Sequence, residues 1–300
     1  MCAGQRLPTG TRLSRRRPGG RPSPGPEAAV ELPPDPGLSV DDAVALLTVG
    51  ELELLGRIAG SSNATFLAAV TADGISTACV YKPVRGERPL WDFPDGTLAG
   101  REVAAFAVSD AAGWDVVPPT VLRDGPFGDG MVQQWVHVSE PGLVDVVSAD
   151  AVPDGWLRVL EATDGSGEEV LVVHADDPQL RLMALLDVVA NNADRKGGHV
   201  LPGPAGIRGC DHGLTFHVED KLRTVLWGFA GRRLDDEEEA TLAVLADRVG
   251  SRSDPLARLL GEQLTTAEVA ATVSRIADLR RSRRFPRRGG RWPAVPWPVF

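Results

Sequence analysis

A single polar, glycine-rich stretch gathers most of the residue types able to do chemistry: Asn191-Asn192-Ala193-Asp194-Arg195-Lys196-Gly197-Gly198-His199. Twelve residues past its end the chain reads Asp211-His212-Gly213. Two carboxylates spaced in this way suit phosphoryl transfer, where one meets an acceptor hydroxyl and the other holds a hard divalent cation. Asp194 is the candidate for the hydroxyl, contributing position more than basicity. Asp211 is the candidate cation ligand, and Lys196 suits neutralising the migrating phosphoryl charge. The same residues have a plainer use: Asn192 and Asp194 can cap and turn a helix end, and an Asp-x-Gly turn needs no metal.

Lysine is scarce. Lys82, Lys196 and Lys221 are the only three, against 29 arginines. In a chain so biased towards Arg, a retained Lys points to a need for a compact ammonium rather than a planar fork. Lys82 ends an apolar run and could present its ammonium to phosphates, or simply reach solvent from a strand end. Glu102 follows on the next helical stretch and could orient Lys82 as an ion pair.

The elements that would position these groups follow from pattern. Pro178 to Ala190 carries apolar residues close to helical spacing and leads into the loop, and Val200-Leu201 with 206–210 gives a short strand pair before Asp211. Ser39 suits the cap of a helix from Val40 to Leu47. Glu51 to Ile58 reads as a strand. The small polar break Gly60-Ser61-Ser62-Asn63-Ala64 follows it, and Ser61, Ser62 and Asn63 are candidate phosphate contacts. Thr65 to Thr71 and Ile75 to Lys82 flank Ala72-Asp73-Gly74, a hairpin signal. A Pro-rich loop at 83–96 precedes a helix from Thr97 or Leu98 to about Ala112, and 115–122 and 131–136 are further strands. Val132-Gln133-Gln134-Trp135-Val136-His137 falls at a junction where Gln134, Trp135 and Val136 could offer backbone groups and an apolar wall to a nucleobase, or simply fill a core. Residues 141–153 read as a loop with a short helix, and 157–162 with 170–174 as a hairpin. Helices are expected over 234–249, from Asp254-Pro255, and, capped by Thr265 or Thr266, from Ala267 to about Arg281. Strands plus one helix, then mostly helices, is an α+β pattern.

Composition narrows the class. The 300 residues are 43% hydrophobic, enough for a real core. No apolar run approaches the ~18–20 residues of a membrane span, and no h-region follows the N-terminal arginines. Cys2, Cys79 and Cys210 form no paired pattern, so a reducing cytoplasm is the expected setting. Residues 1–34 hold six Arg and two Glu, residues 280–300 seven Arg and no acid, and the body between them 19 basic and 39 acidic residues. A body of net −20 with two basic tails does not fit a nucleic-acid-binding domain. The basic, Trp-containing stretch 280–300 suits peripheral contact with an anionic membrane surface.

Taken in order, Val80-Tyr81-Lys82-Pro83, Arg101-Glu102-Val103-Ala104-Ala105-Phe106, Val117-Pro118-Pro119-Thr120, Asp194-Arg195 and Asp211-His212-Gly213-Leu214-Thr215-Phe216 resemble the phosphatidylinositol 3- and 4-kinase-like superfamily, most of all its type II phosphatidylinositol 4-kinases. The chain also resembles a small actinobacterial family described as kinase-like. The resemblance spans roughly residues 50 to 230. It implies a two-lobed protein-kinase-like fold, with an antiparallel-sheet N-lobe over 35–138 and a mainly helical C-lobe over 139–282. Residues 1–34, with hardly any large apolar side chain, are expected on composition to be a disordered tail, and 283–300, with its Arg pairs and prolines, an extended one. It also implies ATP as cofactor with Mg2+ or Mn2+, and a hydroxyl acceptor that is an inositol lipid, a protein or a small molecule. Five residues after the catalytic Asp such kinases carry Asn as a second metal ligand, where this chain has His199. Imidazole suits softer metals than magnesium, which leaves a nucleotide-binding pseudokinase with little turnover as the alternative.

Overall fold

The computed structural model describes residues 32–138, 141–163, 165–289 and 293–300. Most of the expected N-terminal tail, and Trp292, lie outside the described residues. Ser39 caps helix α1 (Val40–Val49) by accepting the Asp42 N–H, meeting a donor that a helix start leaves open. Strands β1 (Glu51–Arg57), β2 (Phe66–Ala72) and β3 (Ile75–Pro83) follow. Helix α2 (Leu98–Ala111) comes next, and then strands β4 (Thr120–Arg123) and β5 (Gly130–Gln134). The five strands form one antiparallel sheet in the order β1-β2-β3-β5-β4. Asp73 and Gly74 turn β2 into β3 with φ of 50° and 78°, the left-handed pair that a two-residue hairpin requires.

The second half is mainly helical, with two small sheets. Strands β6 (Val144–Ser148), β7 (Trp156–Thr163) and β8 (Glu169–Ala175) pair antiparallel in the order β6-β8-β7. Residues 144–148 therefore form a strand where a loop with a short helix was expected, because β8 offers them a free edge. Helix α3 (Pro178–Val189) starts at Asp177, whose carboxylate accepts the Gln179 and Leu180 N–H groups, with Pro178 in the first turn. Strands β9 (Val200–Gly203) and β10 (Gly206–Gly209) form a hairpin, and helices α4 (Asp236–Gly250), α5 (Pro255–Gln263) and α6 (Thr266–Ser282) complete the chain's regular structure. The α+β architecture, a five-stranded antiparallel sheet joined to a mainly helical part, is the one expected.

Two apolar clusters mark the two parts. The smaller joins Leu46 and Leu47 of α1 to Val70, Cys79, Tyr81, Val121 and Val132 of the sheet. The larger is built on α3 to α6 and also takes Ala104, Ala105 and Val108 of α2. Helix α2 is thus rooted in the helical part while lying against the sheet. Arg101, 1% exposed, reinforces this with a 2.6 Å ion pair to Glu268 on α6 and a 2.7 Å hydrogen bond to the Thr215 carbonyl. Among the described residues no helix is long and apolar enough to cross a membrane.

Candidate active site

Strand alternation aims Lys82. On β3, Tyr81 turns into the small cluster, where its hydroxyl donates to the Gly128 carbonyl at 2.5 Å and accepts the Phe127 N–H. Its neighbour Lys82 must then face the opposite side, towards the seam with the helical part. Gly130, opposite, lets the two strands close: a Cβ there would lie 2.5 Å from the Tyr81 ring and 2.7 Å from the Lys82 carbonyl. The Lys82 ammonium meets Glu102 Oε1 at 2.7 Å and Asp211 Oδ1 at 2.8 Å. Burial by itself would lower its pKa, but the two carboxylates outweigh that and hold it above the usual lysine range.

Glu102 is placed by its helix. Thr97 caps α2 by accepting the Gly100 N–H at 2.9 Å, and the Glu87 carboxylate accepts the Leu98 and Ala99 N–H groups. One turn in, Glu102 is 1% exposed, so its charge is tolerable only when fully partnered. Lys82 holds one oxygen and the His212 N–H donates to the other at 2.8 Å. Burial pushes its pKa up, yet Lys82 and His212 together keep it below the ordinary carboxylate value.

Asp211 adopts φ of 61°, a left-handed backbone that Asp tolerates better than most residues. Its side chain is half exposed in the seam. One oxygen takes Lys82, and the other lies 3.5 Å from His199 Nε2. Lys82 holds the Asp211 carboxyl well below its usual range. Burial drives the His199 imidazole down to about 4, so it is neutral near pH 7.

The loop after α3 rests on a buried polar network. Asp187, fully buried, accepts from Arg195 (3.0 and 3.1 Å), Asn192 Nδ2 (2.9 Å) and the Thr224 hydroxyl (2.9 Å). Arg195, also fully buried, extends to the Cys210 carbonyl at 3.0 Å and to His212 Nε2 at 2.7 Å. A chain of contacts therefore runs from α3 through Arg195 and His212 to Glu102 and Lys82. Asn192 Oδ1 accepts the Asp194 N–H, an Asx turn that projects the Asp194 side chain. Lys196 Nζ lies 3.5 Å from Asp194 Oδ2. Burial raises the Asp194 pKa against the pull of Lys196.

Two adjoining cavities meet at Lys82 and Asp211. One, of about 590 Å3, is lined by Ser61, Ser62, Asn63, Gln134, Trp135, Val136, Lys196 and His199 in addition to that pair. The other, of about 330 Å3, is bounded by Ser62, Asn63, Glu102 and Asp194 with the same pair. All twelve candidate residues thus border these two adjoining chambers, with Asp194 opening on the smaller and the junction segment on the larger. The junction differs from expectation in its donors: the Gln134 N–H is already spent on the Pro119 carbonyl and the Trp135 N–H on the Ala78 carbonyl, both at 2.9 Å, so neither offers one to a ligand.

Asp187, the role of Arg195, and Phe300, which also lines the larger chamber, were not singled out from sequence. A charged residue on the apolar face of α3 was the available signal for Asp187; nothing local signalled Phe300. Among the described residues no three His, Cys, Asp or Glu side chains form a ready-made metal cage. Asp211 supplies an oxygen donor suited to a hard cation that keeps its waters, while the His199 nitrogen suits a softer ion such as Mn2+ better than Mg2+. Cys210, half-buried at the chamber wall, has its thiol pushed up to about 12 by loss of solvent and stays protonated near pH 7.

No family model matches the sequence. The chain is similar in fold to the crystal structure of the golgi casein kinase, at 14% identity and TM-score 0.49 over 81% of this chain and 74% of that one. It is also similar to the Helicobacter pylori proinflammatory kinase CtkA, at 10% identity and TM-score 0.44 over 79% and 94% respectively. Its sequence is 51% identical over 271 residues to Protein Rv2133c of Mycobacterium tuberculosis (strain ATCC 25618 / H37Rv), covering 87% of this chain and 96% of that protein. The chain belongs to the family of Protein Rv2133c.

Proposed function

We propose that this protein is an ATP-dependent, metal-assisted phosphotransferase that moves the γ-phosphate to a hydroxyl, of the phosphatidylinositol 3- and 4-kinase-like kind. The observation that carries the proposal is the convergence of Lys82, Glu102 and Asp211 within 2.8 Å contacts at the meeting point of two chambers. Phosphoryl transfer asks a protein chiefly for position and charge stabilisation, and this group supplies both. Ser61, Ser62 and Asn63 cover the phosphates, Trp135 and Val136 wall the base, and Glu102 keeps Lys82 aimed. Asp211 and His199 would hold Mg2+ or Mn2+, which would supply neutralisation of phosphate charge. Asp194 orients the acceptor hydroxyl in the smaller chamber, and Lys196 faces the migrating group. The acceptor is a hydroxyl of an inositol lipid, a protein or a small molecule; the basic stretch 280–300 would favour an anionic membrane surface, and the setting is cytoplasmic.

A second reading, a pseudokinase that binds nucleotide without turnover, draws on one contact. Lys82 and His199 each occupy one oxygen of Asp211, so a cation must compete for that carboxylate. A phosphate-acceptor screen with radiolabelled ATP, in Mg2+ and in Mn2+, separates the two. The proposal expects transfer by the wild type and loss of about 100-fold or more in Asp194→Asn. Nucleotide binding with no transfer in either metal would favour the pseudokinase.

A further inference from the structure

We infer that residues 293–300 complete the nucleotide chamber, with the Phe300 ring contacting the bound nucleotide; the inference rests on the nucleotide reading of the cleft. The segment is docked on the loop after α3 instead of projecting as a free tail. The Ala294 carbonyl accepts the Trp227 indole N–H at 2.6 Å and the Thr224 N–H at 3.1 Å. Ala294, Val295 and Val299 pack against the large cluster, and Pro296 is buried. The Val299 carbonyl accepts the Gly197 N–H at 2.8 Å, which delivers Phe300 to the chamber beside Lys196 and His199.

Gly197 is the residue that makes room. A Cβ at that position would collide with the Phe300 ring, so the ring sits against backbone that any other side chain would cover. Unlike its anchors, Phe300 is 52% exposed, so core burial does not account for where it sits. An aromatic face held at a cleft wall is suited to a ribose or a base. Phe300 borders the larger chamber and not the one holding Asp194, which assigns its contact to the nucleotide and not the acceptor.

The test measures MgATP dissociation constants by calorimetry on the full chain for wild type, Phe300→Ala, Gly197→Ala and the double variant, with Lys82→Ala as control. Each single substitution should weaken binding about three- to tenfold, a size in line with one lost aromatic contact. The double variant should be no weaker than the more affected single, because both remove the same ring. Ligand-free melting temperature should barely move for Phe300→Ala, since the ring is half exposed. If the wild type and Phe300→Ala bind MgATP alike while Lys82→Ala does not bind, the Phe300 inference is overturned and the nucleotide reading survives. Tighter binding by Phe300→Ala would also overturn it, by making the ring a plug. A wild type that binds no nucleotide ends both.

Discussion

The substitution Asp187→Asn isolates the charge at the centre of the buried network while keeping its shape. An amide can still accept from Arg195 and Asn192 and can donate to the Thr224 hydroxyl, so the main change is the loss of one negative charge. Arg195 is then left fully buried with no countercharge, since its other contacts are the Cys210 carbonyl and His212 Nε2. Breaking such a pair costs about 3–5 kcal/mol. For a chain of this size each kcal/mol lowers the melting temperature by roughly 2–4 °C, giving a fall of about 6–20 °C. Urea unfolding at neutral pH, with the slope checked against wild type, reads this directly. The double change Asp187→Leu with Arg195→Met should recover most of the loss, because apolar replacement of a buried pair is often neutral or better. A cost below about 1 kcal/mol for Asp187→Asn, or no recovery in the double variant, would refute the network as the support of the loop.

Two further substitutions probe other parts of the frame. Gly130→Ala places a Cβ against the Tyr81 ring and the Lys82 carbonyl; overpacking should cost about 1–3 kcal/mol in thermal unfolding and weaken nucleotide binding by shifting β3. His174 accepts the Gly228 N–H through Nε2, and burial holds its pKa below the ordinary value. The unfolded chain therefore takes up this proton at a higher pH than the folded one. The stability tied to the neutral ring is present above about pH 6.5 and is lost as the pH falls through the folded value. His174→Gln should give a shallower decline of stability between about pH 6.5 and pH 5 than wild type, and an unchanged slope would remove His174 as a cause.

Elements with local signals were legible in the sequence. Caps and breakers placed α1, α2, α5 and α6 within a residue or two, and Ala72-Asp73-Gly74 gave the β2–β3 hairpin. The α+β order followed from these. What escaped was set by distant contacts. Val144–Ser148 carries three valines but buries only Val144, and it becomes a strand because β8 lies alongside. Asp187 looked like one position in an apolar helix until the fold brought Arg195 against it. The docking of 293–300 depends on Trp227, Thr224 and Gly197 offering N–H groups to a chain remote in sequence, which no periodicity announces. Site residues as distant in sequence as Lys82 and Asp211, 129 positions apart, came together in one cleft because each motif fixed its own short-range geometry.

The most direct measurement is a thermal-shift titration of the full chain with ATP and Mg2+, run on wild type, Lys82→Ala and Asp211→Ala. Ligand at 100 times its dissociation constant should add about 2.7 kcal/mol, a rise of roughly 5–11 °C for a chain of this size. Both variants should lose most of that rise. A wild-type melting temperature that stays flat up to millimolar ATP, or a rise that persists undiminished in Lys82→Ala, would contradict a nucleotide site at this cleft.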